Sequence, residues 1–182
     1  CSSDLREMID SLDQYKGLKM KIDIEPPIPV KYSLFTGILW LGFSLFKFSK
    51  NRRYLQDKVL ELSKSSKIIL STFPLPKFIL NRWGWVYDEK LEYNFMHYSS
   101  FIPRILLWKY NLYHSLLVPR NNYVAVGLIG RGIFGNEPVY KSIKEMERDI
   151  KYLKKKGFEK FVFFRIGAIV ERGKVWFDRS KV

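Results

Sequence analysis

Two acidic side chains near the start of the chain, Asp23 and Glu25, have a spacing that suits acid–base chemistry. They end a largely apolar run that begins at Gly17, and Pro26 and Pro27 follow them directly. The run predicts a buried strand, because proline cannot donate a hydrogen bond to a β ladder and so stops it. Residues two apart on a strand point to the same side, so both carboxylates would face one space. Catalytic residues commonly lie at the carboxyl ends of parallel strands.

The elements that must position this pair alternate between strands and helices. Apolar runs bounded by Gly, Pro and Ser predict the strands, and apolar residues at helical spacing predict the helices. The predicted strands are 17–25, 67–73, 91–98, 123–129 and 161–169, and the predicted helices are 4–14, 51–64, 104–117 and 142–156. The last helix begins with a Ser142 to Glu145 capping box. Alternation of this kind predicts an α/β fold with a parallel sheet and right-handed crossovers.

The chain is predicted to form a single domain, residues 1–182, with an apolar helical insertion at about 32–48. Its longest uncharged run, Tyr32 to Phe46, has 15 residues, whereas a membrane-spanning helix needs about 20. A buried or interfacial helix is therefore predicted. Four cations follow this run, namely Lys47, Lys50, Arg52 and Arg53. They could cap a helix or contact an anionic bilayer, so peripheral membrane contact remains an alternative.

Composition restricts the class of protein. The chain has 32 Lys and Arg against 18 Asp and Glu, a net charge of +14, which attracts polyanions at long range. The cations are spread over predicted loops and helix ends, which favours a solvated surface over a nucleic-acid site. The single cysteine, Cys1, excludes an internal disulfide, and with only His97 and His114 beside it no zinc cluster is predicted. No cofactor is predicted, and both extracytoplasmic and membrane-associated locations remain open.

The order of the motifs resembles the second half of a chitinase-like barrel of glycoside hydrolase family 18. Asp23-Ile24-Glu25 matches the acidic end of the family's fourth strand. Met96-His97-Tyr98 matches the Met-x-Tyr end of its sixth strand, and Val124 to Gly130 matches the aliphatic seventh. The resemblance implies a (β/α)8 TIM barrel of which the last five strand–helix units are present. A start at Cys1 rather than Met agrees with a truncated chain.

The resemblance also implies a glycosidase acting on a polysaccharide or glycoconjugate. Glu25 would be the general acid, Asp23 would orient the substrate or stabilise positive charge, and Tyr98 would hydrogen-bond the reacting centre. Family 18 enzymes use the acetamido group of the substrate as nucleophile, so one acid with a helper carboxylate suffices. The expected substrate-binding residues are Arg165, Trp83, Trp85 and Met96. For the tryptophans packing is the alternative, and for Arg165 it is a buried carboxylate partner.

Several alternatives remain at this level. His97 points to the strand face opposite Tyr98 and is predicted to be a hydrogen-bonded structural histidine. Residues 130–135 spell Gly-x-Gly-x-x-Gly, but the next helix is predicted to start too late for a dinucleotide site. A barrel that binds glycans without cleaving them, or a basic module for nucleic acid or an anionic surface, would share much of the pattern. A partial barrel would expose a sheet edge and could self-associate.

Overall fold

The chain has an α/β fold built on five parallel strands. The computed structural model describes residues 2–24, 42–43, 47–130 and 138–164. The strands are β1 (Met20–Asp23), β2 (Ile68–Thr72), β3 (Glu92–His97), β4 (Tyr123–Val126) and β5 (Lys160–Phe163). The helices are α1 (Ser2–Asp10), α2 (Arg52–Leu62), α3 (Lys77–Arg82), α4 (Leu107–Leu117) and α5 (Ile143–Lys155). The predicted alternation of strands and helices is confirmed. The predicted apolar insertion at 32–48 lies almost wholly outside the described residues.

The strands form one sheet in the order β1-β2-β3-β4-β5. β1 pairs with β2 in parallel, from Met20 opposite Ile68 to Asp23 opposite Ser71. β3, β4 and β5 also pair in parallel. Their last residues lie opposite one another, in the order His97, Val126 and Phe163. The order follows the sequence without reversal over the described strands. By contacts the chain divides into two compact units, Cys1–Tyr93 and Asn94–Val182.

The first unit packs α2 against its strands. Val59 and Leu62 on α2 are fully buried, as are Ile68 and Leu70 on β2. A helical pattern that continues from α1 as a 3-10 turn ends at Gly17, where φ is +86°. Glycine adopts this left-handed conformation without a steric penalty. The predicted stop at this residue is confirmed, and β1 starts three residues later.

The second unit packs α5 against the sheet through Met146, Ile150 and Leu153, the face predicted from their spacing. Gly157 ends this helix with φ of +87°, also as expected from the sequence. The predicted capping box is wrong in its partners. Ser142 makes no side-chain cap hydrogen bond, and the Glu145 carboxylate accepts the backbone N–H of Lys141 at 2.9 Å.

The predicted orientation of α4 is wrong. The sequence predicts that its apolar residues cover the core, but all six of them are solvent-exposed, namely Ile105, Leu106, Trp108, Leu112, Tyr113 and Leu116. The face that packs inward instead carries Asn111, His114 and Ser115. Aromatic contacts explain this choice, because the His114 ring lies against those of His97 and Phe158.

Candidate functional site

Asp23 occupies the last position of β1 and faces solvent. Exposure alternates along this strand, so Lys21 and Asp23 share the exposed face while Met20 and Ile22 are half-buried. Lys21 Nζ lies 2.5 Å from Asp23 Oδ1, and the Asp23 side chain is 47% exposed. Ion pairs at this exposure contribute little to stability. The carboxylate is therefore open to solvent at a strand end, with a lysine beside it.

Backbone pairing continues for one residue past Asp23. The Ile24 N–H donates to the Ser71 carbonyl at 2.8 Å, and the buried Thr72 hydroxyl donates to the Ile24 carbonyl at 2.7 Å. These bonds hold the main chain up to the residue before Glu25. Glu25 itself, the predicted general acid, lies outside the described residues.

Tyr98 follows β3 in the second unit and lies beside Gly127, which follows β4. Its ring stacks with that of Phe101 at a centroid distance of 6.2 Å. Gly127 and Phe164 come directly after β4 and β5, in the same row as Tyr98. A Cβ on Gly127 would lie only 3.0 Å from Tyr98 Cε1 and 3.6 Å from the Phe164 Cβ. The glycine therefore makes room for the tyrosine ring at this end of the sheet.

Replacing Gly127 by alanine should test this packing. We expect Gly127→Ala to lower the free energy of unfolding by about 1 kcal/mol, because the tyrosine ring must shift. With Tyr98→Ala as background the same change should be neutral or stabilising by up to about 1 kcal/mol, since the alanine only restricts the unfolded chain. Urea denaturation of the four proteins measures both effects. An equal loss in the two backgrounds would show that Tyr98 does not set the requirement for glycine.

The predicted aromatic sugar contacts are buried. Trp83 is 6% exposed and Trp85 is 1% exposed, and the Trp85 ring packs against that of Tyr93 at 5.4 Å. Met96 is also buried in β3. This burial favours the packing role for both tryptophans over stacking on a sugar. Arg165, the fourth predicted contact, lies outside the described residues.

More exposed rings lie next to these tryptophans. A shallow cavity of the first unit is lined by Gln56, Lys77, Phe78, Asn81, Trp85, Val86 and Tyr87. Tyr87 and Phe78 present exposed ring surface there, and the Lys77 ammonium lies 4.7 Å from the centroid of Tyr87. Tyr87 belongs to the loop that enters the amino end of β3, whereas Tyr98 follows its carboxyl end. This cavity therefore does not lie at the carboxyl end of β3.

A buried hydrogen-bond network supports the segment after Tyr98. The Ser99 hydroxyl donates to the Asp149 carboxylate on α5. The Tyr140 hydroxyl also donates to Asp149, at 2.9 Å, and Arg148 donates to its other oxygen at 3.1 Å. Burial, followed by the nearby Asp149 charge, raises the pKa of Tyr140, so its phenol stays protonated and able to donate. With both carboxylate oxygens occupied, Asp149 positions the chain beside Tyr98.

Sequence reasoning missed this network, although a signal for it exists. Asp149 lies three residues after Met146 and four before Leu153, on the face predicted to enter the core. A carboxylate on such a face is costly unless it is hydrogen-bonded. An acid within an apolar helical stripe therefore predicts buried partners. The pattern does not say which hydroxyls they are.

Two histidines are fully buried on the opposite face of β3. The ring of His97 lies 4.6 Å from that of His114 and 5.0 Å from that of Tyr110. The prediction that His97 faces the helices is confirmed. The prediction that it is hydrogen-bonded is wrong, since neither nitrogen of His97 or His114 has a hydrogen-bond partner within the described residues. Burial lowers the pKa of His97 to about 4 and that of His114 to about 2, so both are neutral at pH 7.

Tyr110 joins this histidine layer to the backbone at the carboxyl end of β3. Its hydroxyl accepts the backbone N–H of Tyr98 at 3.1 Å and donates to the Met96 carbonyl at 3.4 Å. Its burial raises the pKa of this phenol, so the proton remains available for the Met96 carbonyl. A side chain from α4 thus satisfies main-chain groups where β3 ends, and it fixes the backbone that carries Tyr98.

The described residues contain no group of three or more His, Cys, Asp and Glu side chains placed to hold a metal ion. Comparison of the chain with protein-family models, with curated proteins and with solved structures gave no match. Inference about function therefore depends on the geometry at the strand ends and on the chemistry of the residues there.

Proposed function

We infer that the protein is a glycosidase-like hydrolase whose five strands correspond to the fourth to eighth strands of a TIM barrel. The observation that carries this proposal is the sheet order, which follows the sequence from β1 to β5. Barrels are wound in this way, whereas doubly wound sheets reverse their order at a switch point. In a barrel the carboxyl ends of the strands bear the catalytic groups, and Asp23 and Tyr98 both lie at such ends.

In the proposed reaction Glu25, as a protonated acid, donates its proton to the glycosidic oxygen while the bond to the anomeric carbon breaks and the acetamido oxygen of the substrate bonds to that carbon. A water molecule then displaces the acetamido oxygen from the anomeric carbon and gives a proton back to Glu25. The exposed Asp23 carboxylate stabilises the positive charge that develops on the sugar. Tyr98, whose backbone is held by Tyr110 and whose ring lies against Gly127, offers a hydroxyl to the reacting group. Positioned acids of this kind contribute about 10²–10⁴-fold to rate.

The test is hydrolysis of a panel of fluorogenic oligosaccharides, including oligomers of N-acetylglucosamine. Glu25→Gln should lower turnover by about 100-fold or more, because glutamine cannot donate the proton, and Asp23→Asn should lower it less. Glu89→Gln is the matched control, since Glu89 is an exposed glutamate in the loop before β3, and it should leave turnover unchanged. Circular dichroism should show all variants folded. Turnover that survives Glu25→Gln would contradict the assignment of the acid.

The ion pair between Lys21 and Asp23 favours a second candidate function. A carboxylate with an ammonium group at 2.5 Å is partly neutralised, which suits a barrel that binds glycans without cleaving them. For this candidate the parent chain would bind oligosaccharides of the same panel without turnover, and binding would survive Glu25→Gln. Absence of turnover by the parent on every glycan would overturn the hydrolase proposal.

A further inference from the structure

Helix α4 and the turn before it carry an outward stripe of large apolar side chains. Ile105 is 79% exposed, Trp108 62%, Leu112 43% and Leu116 75%. Their spacing of three, four and four residues places them on one helix face. A helix of this length is about 16 Å long. The stripe therefore forms a continuous apolar ridge along the whole of α4.

The inward face of α4 holds the ridge outward. Asn111, His114 and Ser115 on that face are at most 7% exposed. His114 packs against Phe158 with ring centroids 5.8 Å apart, and Tyr110 hydrogen-bonds the main chain at the end of β3. Rotating α4 to bury its leucines would break these contacts and bring the polar side chains to the surface. The most buried side chains of this helix are thus polar, while the most exposed ones are large and apolar, which is unusual for a helix that faces water.

The sequence segment that carries the ridge contains cations and no acidic residues. Residues 93–136 contain no Asp or Glu, whereas Arg104, Lys109 and Arg120 lie within this stretch, and all three are exposed. Lys109 Nζ lies 5.5 Å from the Trp108 ring. Arg104 is bonded to Glu145 at 3.0 Å but remains 82% exposed. Apolar residues with Trp beside exposed cations are typical of helices that lie in the headgroup region of anionic bilayers.

The size of the ridge argues against a second protein as its main partner. A stable protein interface buries about 800 Å² on each side, and the exposed side chains of one 11-residue helix supply only part of such an area. An interfacial helix needs only to sink its apolar face about 5–10 Å into the bilayer. None of the helices in the described ranges is long and apolar enough to cross a membrane.

We propose that α4 is a membrane-docking helix that inserts Ile105, Trp108, Leu112 and Leu116 into the surface of an anionic lipid bilayer. Lys109 and Arg104 contact the phosphate groups of the lipid. The occupant is the bilayer surface itself rather than a soluble anion, because the ridge is apolar and its cations lie at the margin.

Vesicle flotation tests the proposal on the full chain. The protein should float with phosphatidylcholine vesicles that contain phosphatidylglycerol and should remain unbound with phosphatidylcholine alone. The double variant Leu112→Ser, Leu116→Ser should bind about tenfold more weakly or worse, and Lys109→Glu should also weaken binding. Met8→Ser is the matched control, because Met8 is equally exposed (60%) on α1 in the other unit. Thermal unfolding should be unchanged in all variants, since every altered side chain faces solvent.

Three results would overturn the proposal. They are vesicle binding that the double serine variant does not reduce, equal binding to neutral and anionic vesicles, and absence of binding to any vesicle. In the last case size-exclusion chromatography identifies the alternative occupant. A parent dimer that the double variant converts to a monomer would assign the ridge to a second copy of the chain.

Discussion

Lowering the pH from 7 to 4 should remove several kcal/mol from the free energy of unfolding, because His97 and His114 are buried as neutral rings. Their folded pKa values are about 4 and about 2, below the ordinary value near 6.5. Below pH 6.5 both histidines therefore bind protons in the unfolded chain but remain largely neutral in the folded chain. Their contribution is fully present above pH 6.5 and is lost as the pH falls, up to about 2.7 kcal/mol per pH unit for two sites.

By pH 4 the combined loss should be on the order of 6 kcal/mol, which is comparable to the whole stability of an ordinary domain. Burial is the main cause for both rings. The negative charge of Asp149 partly opposes the lowering of the His97 pKa. Positive charge on His97 and Arg120 lowers the His114 pKa further. The carboxylates with lowered pKa, Asp13, Glu61 and Glu145, lose their contribution only near or below pH 4.5. The window between pH 6.5 and 4.5 therefore isolates the histidines.

Urea denaturation at several pH values within this window provides the measurement. Single variants His97→Leu and His114→Leu should each remove about half of the pH dependence. At pH 7 each should cost little, because leucine replaces a ring whose nitrogens have no hydrogen-bond partner within the described residues. If the free energy of unfolding fell with pH as steeply in both variants as in the parent, the histidines would not be the cause.

Replacing Asp149 by alanine should cost about 2–5 kcal/mol of unfolding free energy, since a buried group that loses its hydrogen-bond partner costs about 1–3 kcal/mol. The substitution removes the acceptor of two buried hydroxyls, those of Ser99 and Tyr140, and leaves a cavity beneath α5. Arg148 loses its partner but is half-exposed, so water can replace the carboxylate there. Most of the cost should therefore come from these two hydroxyls, which lose the carboxylate as their acceptor and lie 3.1 Å apart.

Glu147→Ala is the matched control for this measurement, since it removes a carboxylate from the same helix at a half-exposed position. It should change stability by less than about 0.5 kcal/mol. Combining Asp149→Leu with Ser99→Ala and Tyr140→Phe should recover part of the loss, because no buried donor is then left without an acceptor. A cost below about 1 kcal/mol for Asp149→Ala would show that the network contributes little.

The elements of the fold could largely be predicted from sequence because the information is local. Gly17 and Gly157 end helical segments where only glycine adopts the left-handed backbone easily. The face of α5 follows from the spacing of Met146, Ile150 and Leu153. Strands such as β4, buried on both faces, give continuous apolar runs. The alternation of these elements then fixes an α/β class.

Predictions that depend on tertiary partners succeeded less well. In α4 apolar residues occur on every side, so periodicity does not identify the inward face. The face of α4 that packs inward is set by contacts that involve His97, Tyr110 and Phe158. Some of these residues are distant in sequence and others have polar side chains. For α5 the capping box predicts a bond from Ser142, yet the Glu145 carboxylate is bonded to Lys141 and Arg104. Short polar motifs do not specify which of several nearby donors is used.

For the candidate site too, features set by local sequence could be predicted and features set by tertiary packing could not. Strand ends can be located from sequence, so β1 ends at Asp23 and β3 ends one residue before Tyr98, while the roles of these residues stay predictions. The aromatic residues could not be assigned, because a tryptophan in a loop can stack on a ligand or fill the core. The packing around Gly84 decides this for Trp83 and Trp85, since a Cβ on this glycine would lie 2.9 Å from Leu55. Both tryptophans are buried, at 6% and 1% exposure, which favours packing over stacking on a ligand.

The exposed pair on β1 has a further consequence, for aggregation. Among the described strands β1 has only one neighbour, so its free edge is a template on which another copy could extend the sheet. In a second copy paired there in register, Lys21 would lie beside Lys21 and Asp23 beside Asp23, and these like charges oppose growth of fibrils from this edge. The carboxylate proposed to assist catalysis would then also keep the protein soluble. Selection on Asp23 would act through both properties at once.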